Sequence, residues 1–231
     1  MRLSVSLKIL LLFLLSITSG STAQDSTGTL IGRIFMPQIK VEKRTFRGRM
    51  YRNRLAQKQK SGEENQTLKS PYIDVIVVLH PMTFKQEAKP LEGIRIIQKN
   101  AEFIPHVVPV TRNTIIEFIN YDKFYHNVFS VTPGARFNLG RRPTGTIVKH
   151  KIERPGEIKL FCDIHAQMNA TILSLDTPYF TRVQPTGNYK LDNLPKGDYL
   201  VQVYHPDLPD TEQYITIEAG KTVDRSFTLS R

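Results

Sequence analysis

The amino-acid sequence predicts an all-β protein built from packed sheets. Short runs rich in β-branched and aromatic residues recur along the chain, and clusters of Gly, Pro, Asn and Asp separate them. No stretch shows a convincing helical period. The 231 residues, 40% of them apolar, are enough for one large domain or two small domains with their own cores.

Residues 1–23 are typical of a secretory signal peptide. A start with two basic residues precedes an apolar run at 9–17 that is too short to span a bilayer, and Ser21-Thr22-Ala23 offers a small-residue cleavage site. We therefore expect an exported protein, periplasmic or secreted, whose mature chain begins near Gln24. No later stretch reaches the length of a transmembrane helix, so no transmembrane segment is expected in the mature chain.

A short strand is predicted at residues 27–36, and a strongly basic segment follows it. Residues 40–60 hold nine Lys and Arg residues against Glu42 alone. Such a block is most often a solvated loop, and the alternative is a patch that binds an acidic protein or an anionic surface. The formal net charge of +11 also points to acidic partners. Nucleic acid is not expected as a partner of an exported protein.

The middle of the chain predicts strand after strand. The turn Asn120-Tyr121-Asp122 leads into a strand that carries His126, and Arg154-Pro155-Gly156 separates two later strands. The other predicted strands of this region are residues 73–79, 94–98, 107–110, 114–119, 147–152, 157–161 and 170–175.

The C-terminal part predicts a second β unit. Alternating apolar residues indicate strands at 199–204, 214–217 and 226–229, with Ala219-Gly220-Lys221 as a turn. Three strands are too few for a stable sandwich. We infer that residues 30–35, with part of 73–79, complete it, and that the middle of the chain is inserted within it.

The chemistry of the chain is concentrated in the run from Phe161 to Met168. It holds the only cysteine, Cys162, followed by His165 and Met168, and His126 supplies a second imidazole upstream. Thiolate, imidazole and thioether ligands suit copper, and one Cys, two His and a weak axial Met form the pattern of blue-copper sites. The alternative is a buried structural Cys with Met as core filler. Metal ligation explains an unpaired Cys in an oxidising compartment.

These motifs resemble those of the cupredoxin family. The spacing Cys-x-x-His-x-x-Met is similar to the ligand loop of amicyanin and pseudoazurin, and His126-Asn127 resembles the corresponding pair of plastocyanin. The resemblance covers residues 72–175 and implies a Greek-key β-sandwich. It also implies one copper ion, Cu(I) or Cu(II), bound by His126, Cys162, His165 and Met168. Asn127 would hydrogen-bond near the Cys162 backbone, and the ring edge of His165 would be the exit for the electron.

A second resemblance concerns residues 187–199, which are similar to the small carboxypeptidase-regulatory-like β-sandwich. The fold prediction is therefore all-β, a cupredoxin sandwich plus a second small β-sandwich. The predicted divisions of the chain are a signal peptide at 1–23, an N-terminal strand and basic linker at 24–70, a cupredoxin domain at 71–178, and a second β domain at 179–231 completed by residues 28–36.

Three functions are compatible with this sequence. The first is a copper protein that carries single electrons between redox partners and has no catalytic site of its own. The second is a protein for copper storage or delivery, and the third is a metal-free sandwich for adhesion or glycan binding. The chain has no His-x-His pair, which argues against a multicopper oxidase.

Overall fold

The computed structural model describes residues 27–37 and 70–230. These residues contain strands, turns and loops but no helix, so the all-β prediction is confirmed, and no helix among them could cross a membrane. The predicted signal peptide and the basic segment 40–60 lie outside the described residues. The strands are β1 (Thr27–Phe35), β2 (Ile76–Pro81), β3 (Ile94–Lys99), β4 (Glu102–Ile104), β5 (Val107–Thr111), β6 (Ile115–Asn120), β7 (Phe129–Ser130), β8 (Phe137–Asn138), β9 (Ile147–Lys151), β10 (Gly156–Phe161), β11 (Asn169–Leu175), β12 (Phe180–Arg182), β13 (Asn188–Pro195), β14 (Gly197–His205), β15 (Leu208–Ile217), β16 (Thr222–Asp224) and β17 (Phe227–Thr228).

Strands from the two ends of the described chain form one sandwich, which we call the terminal sandwich (β1, β2 and β12 to β17). One sheet has the order β13-β1-β16, with β17 also pairing with β1, and the other has the order β12-β2-β14-β15. Alternate residues of these strands point inward, as the period of a pleated strand requires. They meet in one apolar core that includes Leu30, Val77, Leu191, Val201 and Ile215.

The strands between these two ends form a second sandwich, which we call the central sandwich (β3 to β11). Its sheets have the orders β4-β3-β6-β9 and β5-β11-β10-β7-β8. Ile96, Phe118, Leu160 and Ile172 are among the side chains that fill the core between them. Cys162 and Met168 belong to the same buried cluster, so both side chains pack in this core.

The two sandwiches contact each other through strands that are buried on both faces. In β2, Val77 points into the terminal core, whereas Ile76 and Val78 belong to a third apolar cluster. Leu173 and Leu175 of β11 complete that cluster from the central side. Burial on both faces explains why the sequence of β2 is a continuous apolar run rather than an alternating one.

The observed strands differ from the predicted ones mainly where pairing is short. The prediction of a strand carrying His126 is wrong, because His126 forms only an isolated bridge with Arg142 ahead of β7. Strands β4, β8, β12 and β16 are not predicted, since two or three residues give no readable alternation. Strand β13 is not predicted either, because its eight residues alternate at Tyr189 and Leu191 but the alternation breaks before Leu194. The domain boundaries stay a prediction, although β2 falls within 71–178 and pairs with β12 and β14.

Candidate metal centre

The Cys162 segment is a loop closed by two paired strands. Cys162 follows the last residue of β10, and Met168 precedes the first residue of β11. Phe161 pairs with Asn169 across these antiparallel strands, so the sheet fixes the two ends of the loop. Within the loop, the Met168 amide donates to the His165 carbonyl at 2.9 Å. The backbone of the segment is therefore restrained before any metal binds.

His126 reaches Cys162 from a loop that crosses between the two sheets of the central sandwich. The loop leaves β6 at Asn120 and enters β7 at Phe129, which pairs with Phe161 beside Cys162. The backbone of His126 exchanges two hydrogen bonds with Arg142, at 3.1 and 2.7 Å. Asn120 donates from Nδ2 to the carbonyls of Phe124, at 2.8 Å, and Arg142, at 3.0 Å. These bonds hold His126 in place without a full strand.

The structure brings three of the predicted donor residues together. One ligand atom from each of His126, Cys162 and His165 lies within 4.8 Å of the other two. Nδ1 of His126 is 3.8 Å from Sγ of Cys162. An ion bonded to a nitrogen and a sulfur at about 2.0–2.3 Å, with trigonal or tetrahedral angles, separates these donors by roughly 3.6–3.8 Å. Among residues 27–37 and 70–230, no other group of His, Cys, Asp or Glu side chains meets in this way.

Burial supports a metal at this place. His126 is fully buried and Cys162 is 5% exposed, so water hardly reaches their donor atoms. Nδ1 of His165 is also buried, and it has no hydrogen-bond partner. A buried polar atom without a partner costs about 1–3 kcal/mol, and such atoms in native proteins call for an explanation. A bond to a metal ion provides that partner, and the imidazole and thiolate donors suit copper.

The other ring nitrogen of His126 contacts a carboxylate that the sequence does not predict as part of the site. Nε2 of His126 is 2.7 Å from Oδ2 of Asp122, which is 7% exposed. Metal-binding histidines usually donate their second N–H to a carboxylate or a carbonyl. The sequence predicts only a turn at Asp122. The signal available in the sequence is an Asp four positions before His126.

Asp122 is anionic near neutral pH despite its burial. Burial acts to raise its pKa, but the Ala101 amide, the His126 ring and the Asn100 amide together lower it further than burial raises it. The amides donate to the carboxylate at 2.9 Å for Ala101 and 2.6 Å for Asn100. Hydrogen bonds to the ionised form of a carboxyl group have this effect on its pKa.

Phe124 covers the two imidazoles at the protein surface. Its ring centroid lies 4.9 Å from that of His126 and 5.1 Å from that of His165, and the two imidazoles are 4.9 Å apart. Phe124 is 44% exposed, and Tyr125, next to Phe124 in the chain, and Ile164, next to His165, are exposed as well. The site is therefore buried beneath a partly apolar surface.

The two remaining predicted site residues are buried, but their roles stay predictions. Met168 is 1% exposed and packs in the central core. Asn127 is buried beside His126, and its carbonyl accepts a hydrogen bond from Nε2 of Gln98 at 3.2 Å. Oδ1 of Asn127 has no partner. The hydrogen bond from Asn127 to the Cys162 backbone, which the resemblance implies, stays a prediction.

Comparisons with known proteins give a consistent but distant likeness. No family model and no curated protein matches this chain. A purple cupredoxin from Nitrosopumilus maritimus is 20% identical, with a TM-score of 0.33 over 36% of this chain and 100% of that chain. A copper-containing nitrite reductase from Thermus scotoductus is 20% identical, with a TM-score of 0.36 over 42% of this chain and 26% of that chain. A mutant of amicyanin in its reduced Cu(I) form is 14% identical, with a TM-score of 0.34 over 38% of this chain and 92% of that chain.

Proposed function

We propose that this chain is an exported copper protein that carries single electrons between redox partners. One copper ion would be held by His126, Cys162 and His165, with Met168 as a weak axial ligand. The observation that carries the proposal is the buried group of three donor atoms within 4.8 Å of one another, one of which lacks any other partner. This donor set matches the ligand chemistry of copper electron-transfer sites.

The protein contributes a restrained frame for these ligands. Copper supplies a one-electron couple, Cu(I)/Cu(II), when it is bound. The strand pair around Phe161 and Asn169 fixes the Cys162 loop, and the bridge to Arg142 fixes His126. A frame that is held by the sheet resists rearrangement when the charge of the ion changes. A small rearrangement favours rapid electron transfer over tight storage of one oxidation state.

Electrons would enter and leave near His165. The His165 ring contacts the ring of Phe124, which is 44% exposed. The Cys162 donor is 5% exposed, and His126 is fully buried. The shortest route from the site to a docked partner would therefore run through His165 and the apolar surface around Phe124, with Ala166 beside it in the loop.

The rest of the proposal concerns residues outside the described chain and the division into domains. Residues 1–23 would direct export, to the periplasm or outside the cell, and residues 40–60 would bind an acidic redox partner or an anionic surface. The carrier would have no catalytic site of its own. The central sandwich would be the cupredoxin domain, inserted between the strands of the carboxypeptidase-regulatory-like domain.

The test is a visible absorption spectrum of the purified chain titrated with Cu(II), beside Cys162→Ser. We expect an intense blue thiolate-to-copper band that saturates at one equivalent, is bleached by a mild reductant and returns on reoxidation. Cys162→Ser should lack the band. Ser174→Ala is the matched control, because Ser174 is buried in the same sandwich and its Oγ has no partner.

Other outcomes would separate the alternatives. Copper bound without the blue band, or bound only as Cu(I), would favour storage or delivery. A folded wild-type chain that binds no copper would contradict the proposal and favour a metal-free sandwich. A blue band that cannot be cycled between oxidation states would retain the copper site but reject the carrier function.

A further inference from the structure

A buried carboxylate lies behind the ring of His126, on the side away from Cys162. Oδ2 of Asp122 is 2.7 Å from Nε2 of His126, and both side chains are almost completely shielded from water. A hydrogen bond to an ionised acceptor is stronger than a neutral one, and low local polarity strengthens it further. The orientation of the His126 ring is therefore linked to this carboxylate.

The carboxylate is itself held by the backbone around it. Its oxygens accept the amides of Asn100 and Ala101, both of which have φ near 55° in the turn between β3 and β4. On its own main chain, the Asp122 amide donates to Oδ1 of Asn120 at 2.9 Å, and Oγ1 of Thr144 donates to the Asp122 carbonyl. The position of Asp122 is therefore fixed from several sides.

This geometry selects one form of the neutral His126 ring. A carboxylate that is ionised only accepts hydrogen bonds, so the ring nitrogen facing it must carry the proton. A neutral imidazole has one proton to place, and it therefore leaves Nδ1 with a free lone pair. Nδ1 is the atom that lies 3.8 Å from Sγ of Cys162. The free lone pair thus faces the proposed metal position before the metal arrives.

We propose that Asp122 is a positioning residue that fixes the Nε2–H tautomer of His126 and makes Nδ1 a stronger donor to the copper ion. Outer partners of this kind orient ligands and raise their basicity. A buried negative charge behind a ligand also stabilises Cu(II) more than Cu(I), because the attraction grows with the charge of the ion. Asp122 thereby lowers the reduction potential of the site. The stronger donation to copper and the lower potential rest on the proposed copper function, whereas the tautomer does not.

The first experiment needs neither copper nor a variant. Nitrogen-15 NMR of the metal-free wild-type chain, labelled at histidine, reports which nitrogen of each ring carries the proton. We expect the Nε2–H form at His126. The Nδ1–H form at His126 would overturn the proposal, whatever the chain does with copper.

The second experiment compares Asp122→Asn with wild type. The new amide group also donates hydrogen bonds, so Asn cannot accept from the His126 ring, Asn100 and Ala101 as the carboxylate does. We expect a larger Nδ1–H fraction at His126 in the metal-free variant. Cu(II) affinity should fall about 10- to 100-fold, the range found when such outer partners are removed. Cu(I) affinity should fall less, so the reduction potential rises.

The matched control is Asp163→Asn. Asp163 is next to Cys162 in the chain, but its carboxylate pairs with the exposed Arg141 at 3.3 Å and contacts no proposed ligand. This variant loses the same charge near the site and should leave the His126 tautomer and the Cu(II) affinity close to those of wild type. Equal effects of the two variants would show a general charge effect and reject the positioning role. Equal losses of Cu(I) and Cu(II) affinity in Asp122→Asn would reject the effect on potential. If Asp122→Asn does not fold, the wild-type NMR measurement still decides the tautomer.

Discussion

The two sandwiches bury polar side chains to very different extents. In the terminal sandwich, the buried hydroxyls of Tyr189 and Tyr199 donate hydrogen bonds to backbone carbonyls. Burial raises the pKa of both tyrosines, so the hydroxyls keep their protons and remain donors. Apart from tyrosines, the only buried polar or charged residues of the described chain that lie outside residues 94–175 are Thr177 and His205. The others belong to the central sandwich, and several of them surround His126.

This difference separates structural support from the candidate site. An apolar core tolerates hydrophobic exchanges that conserve volume, because its contacts are not directional. A buried polar network is stable only when its members keep their partners, so it specifies positions closely. The apolar core of the terminal sandwich thus stabilises the fold without fixing the position of any polar group. The buried polar residues around His126, which include Asn120 and Asp122, form what we call the polar end of the central sandwich. The polar end provides the defined geometry that a metal site requires.

The largest expected effect on stability is a cavity in the terminal core. Ile34 of β1 is fully buried there. We expect Ile34→Ala to lower the free energy of unfolding by about 2–5 kcal/mol, measured by urea titration. Cu(II) affinity should stay at the wild-type level under conditions where the variant is folded. Arg33→Ala, at the exposed neighbouring position, is the control. A loss of less than about 1 kcal/mol in Ile34→Ala would contradict the packing described here.

A somewhat smaller effect on stability is expected from a substitution of Asn120 at the polar end. The side chain of Asn120 is 1% exposed and forms three hydrogen bonds, two to backbone carbonyls and one from the Asp122 amide. Asn120→Ala removes this partner from the Phe124 carbonyl and the Asp122 amide, leaves the Arg142 carbonyl with its bond from the His126 amide, and should cost about 2–3 kcal/mol. Unlike Ile34→Ala, it should also weaken Cu(II) binding, because it releases the loop that carries His126.

The matched variant for Asn120→Ala is Asn138→Ala. Asn138 is exposed, and its Oδ1 accepts a single hydrogen bond, from the Gly140 amide at 2.9 Å. It should change the free energy of unfolding by less than about 1 kcal/mol and leave copper binding unchanged. If Asn120→Ala lost stability but retained full copper affinity, the polar end would only stabilise the fold, as the terminal core does. The proposed difference in function between the two regions would then be rejected.

The smallest expected effect on stability comes from His106, which lies where the two sandwiches meet. Nδ1 of His106 is 2.8 Å from Oδ2 of Asp74, just before β2, and its Nε2 is 3.0 Å from Oδ1 of Asn169, beside Met168. The hydrogen bond to Asp74 raises the pKa of His106 above its ordinary value, against the opposing effect of burial, and Asn169 and the charge of Asp207 add to the rise.

The sign of the pH dependence follows from this direction. The contribution of His106 to stability is fully present below its unfolded pKa of about 6.5 and is lost as the pH rises through the higher folded pKa. Because its side chain is 36% exposed, the contribution should stay below about 1 kcal/mol. Urea unfolding of wild type and His106→Gln at a series of pH values should give a difference that shrinks above neutrality. A difference that grows with pH would show that His106 is stabilised in its neutral form.

Much of the candidate site could be predicted from the sequence, because most of the proposed donor residues are close to one another in the chain. Cys162, His165 and Met168 lie within one loop, so the chain itself keeps them close. The isolated bridge of His126 and the contact with Asp122 depend on Arg142 and on the turn at Asn100, which are distant in the chain. A lone Asp in a turn is so common that its second role became visible only when the loop was placed in three dimensions.

The fold shows the same division between local and distant information. The alternation in residues 199–204 and the apolar run at 73–79 predict strands directly. The very short strands β8 and β16 form because they pair with the neighbouring strands β7 and β1, and their own residues show no alternation of apolar and polar side chains. The bridge at His126 is equally dependent on its partner. Pairing of this kind is a property of the assembled sandwich rather than of a segment.

The pairing of β1 has a consequence for the way in which the protein is made. Its partners are β13, β16 and β17, and more than 150 residues separate Phe35 from Asn188. At a synthesis rate of about 5–20 residues per second, the completed β1 waits roughly 8 to 30 seconds for its first partner to be made. During that time the whole central sandwich is synthesised, and the partners of all its strands lie within residues 94–175. Closure of the terminal sandwich therefore follows the synthesis of the central sandwich, and it joins β1 to strands made more than 150 residues later.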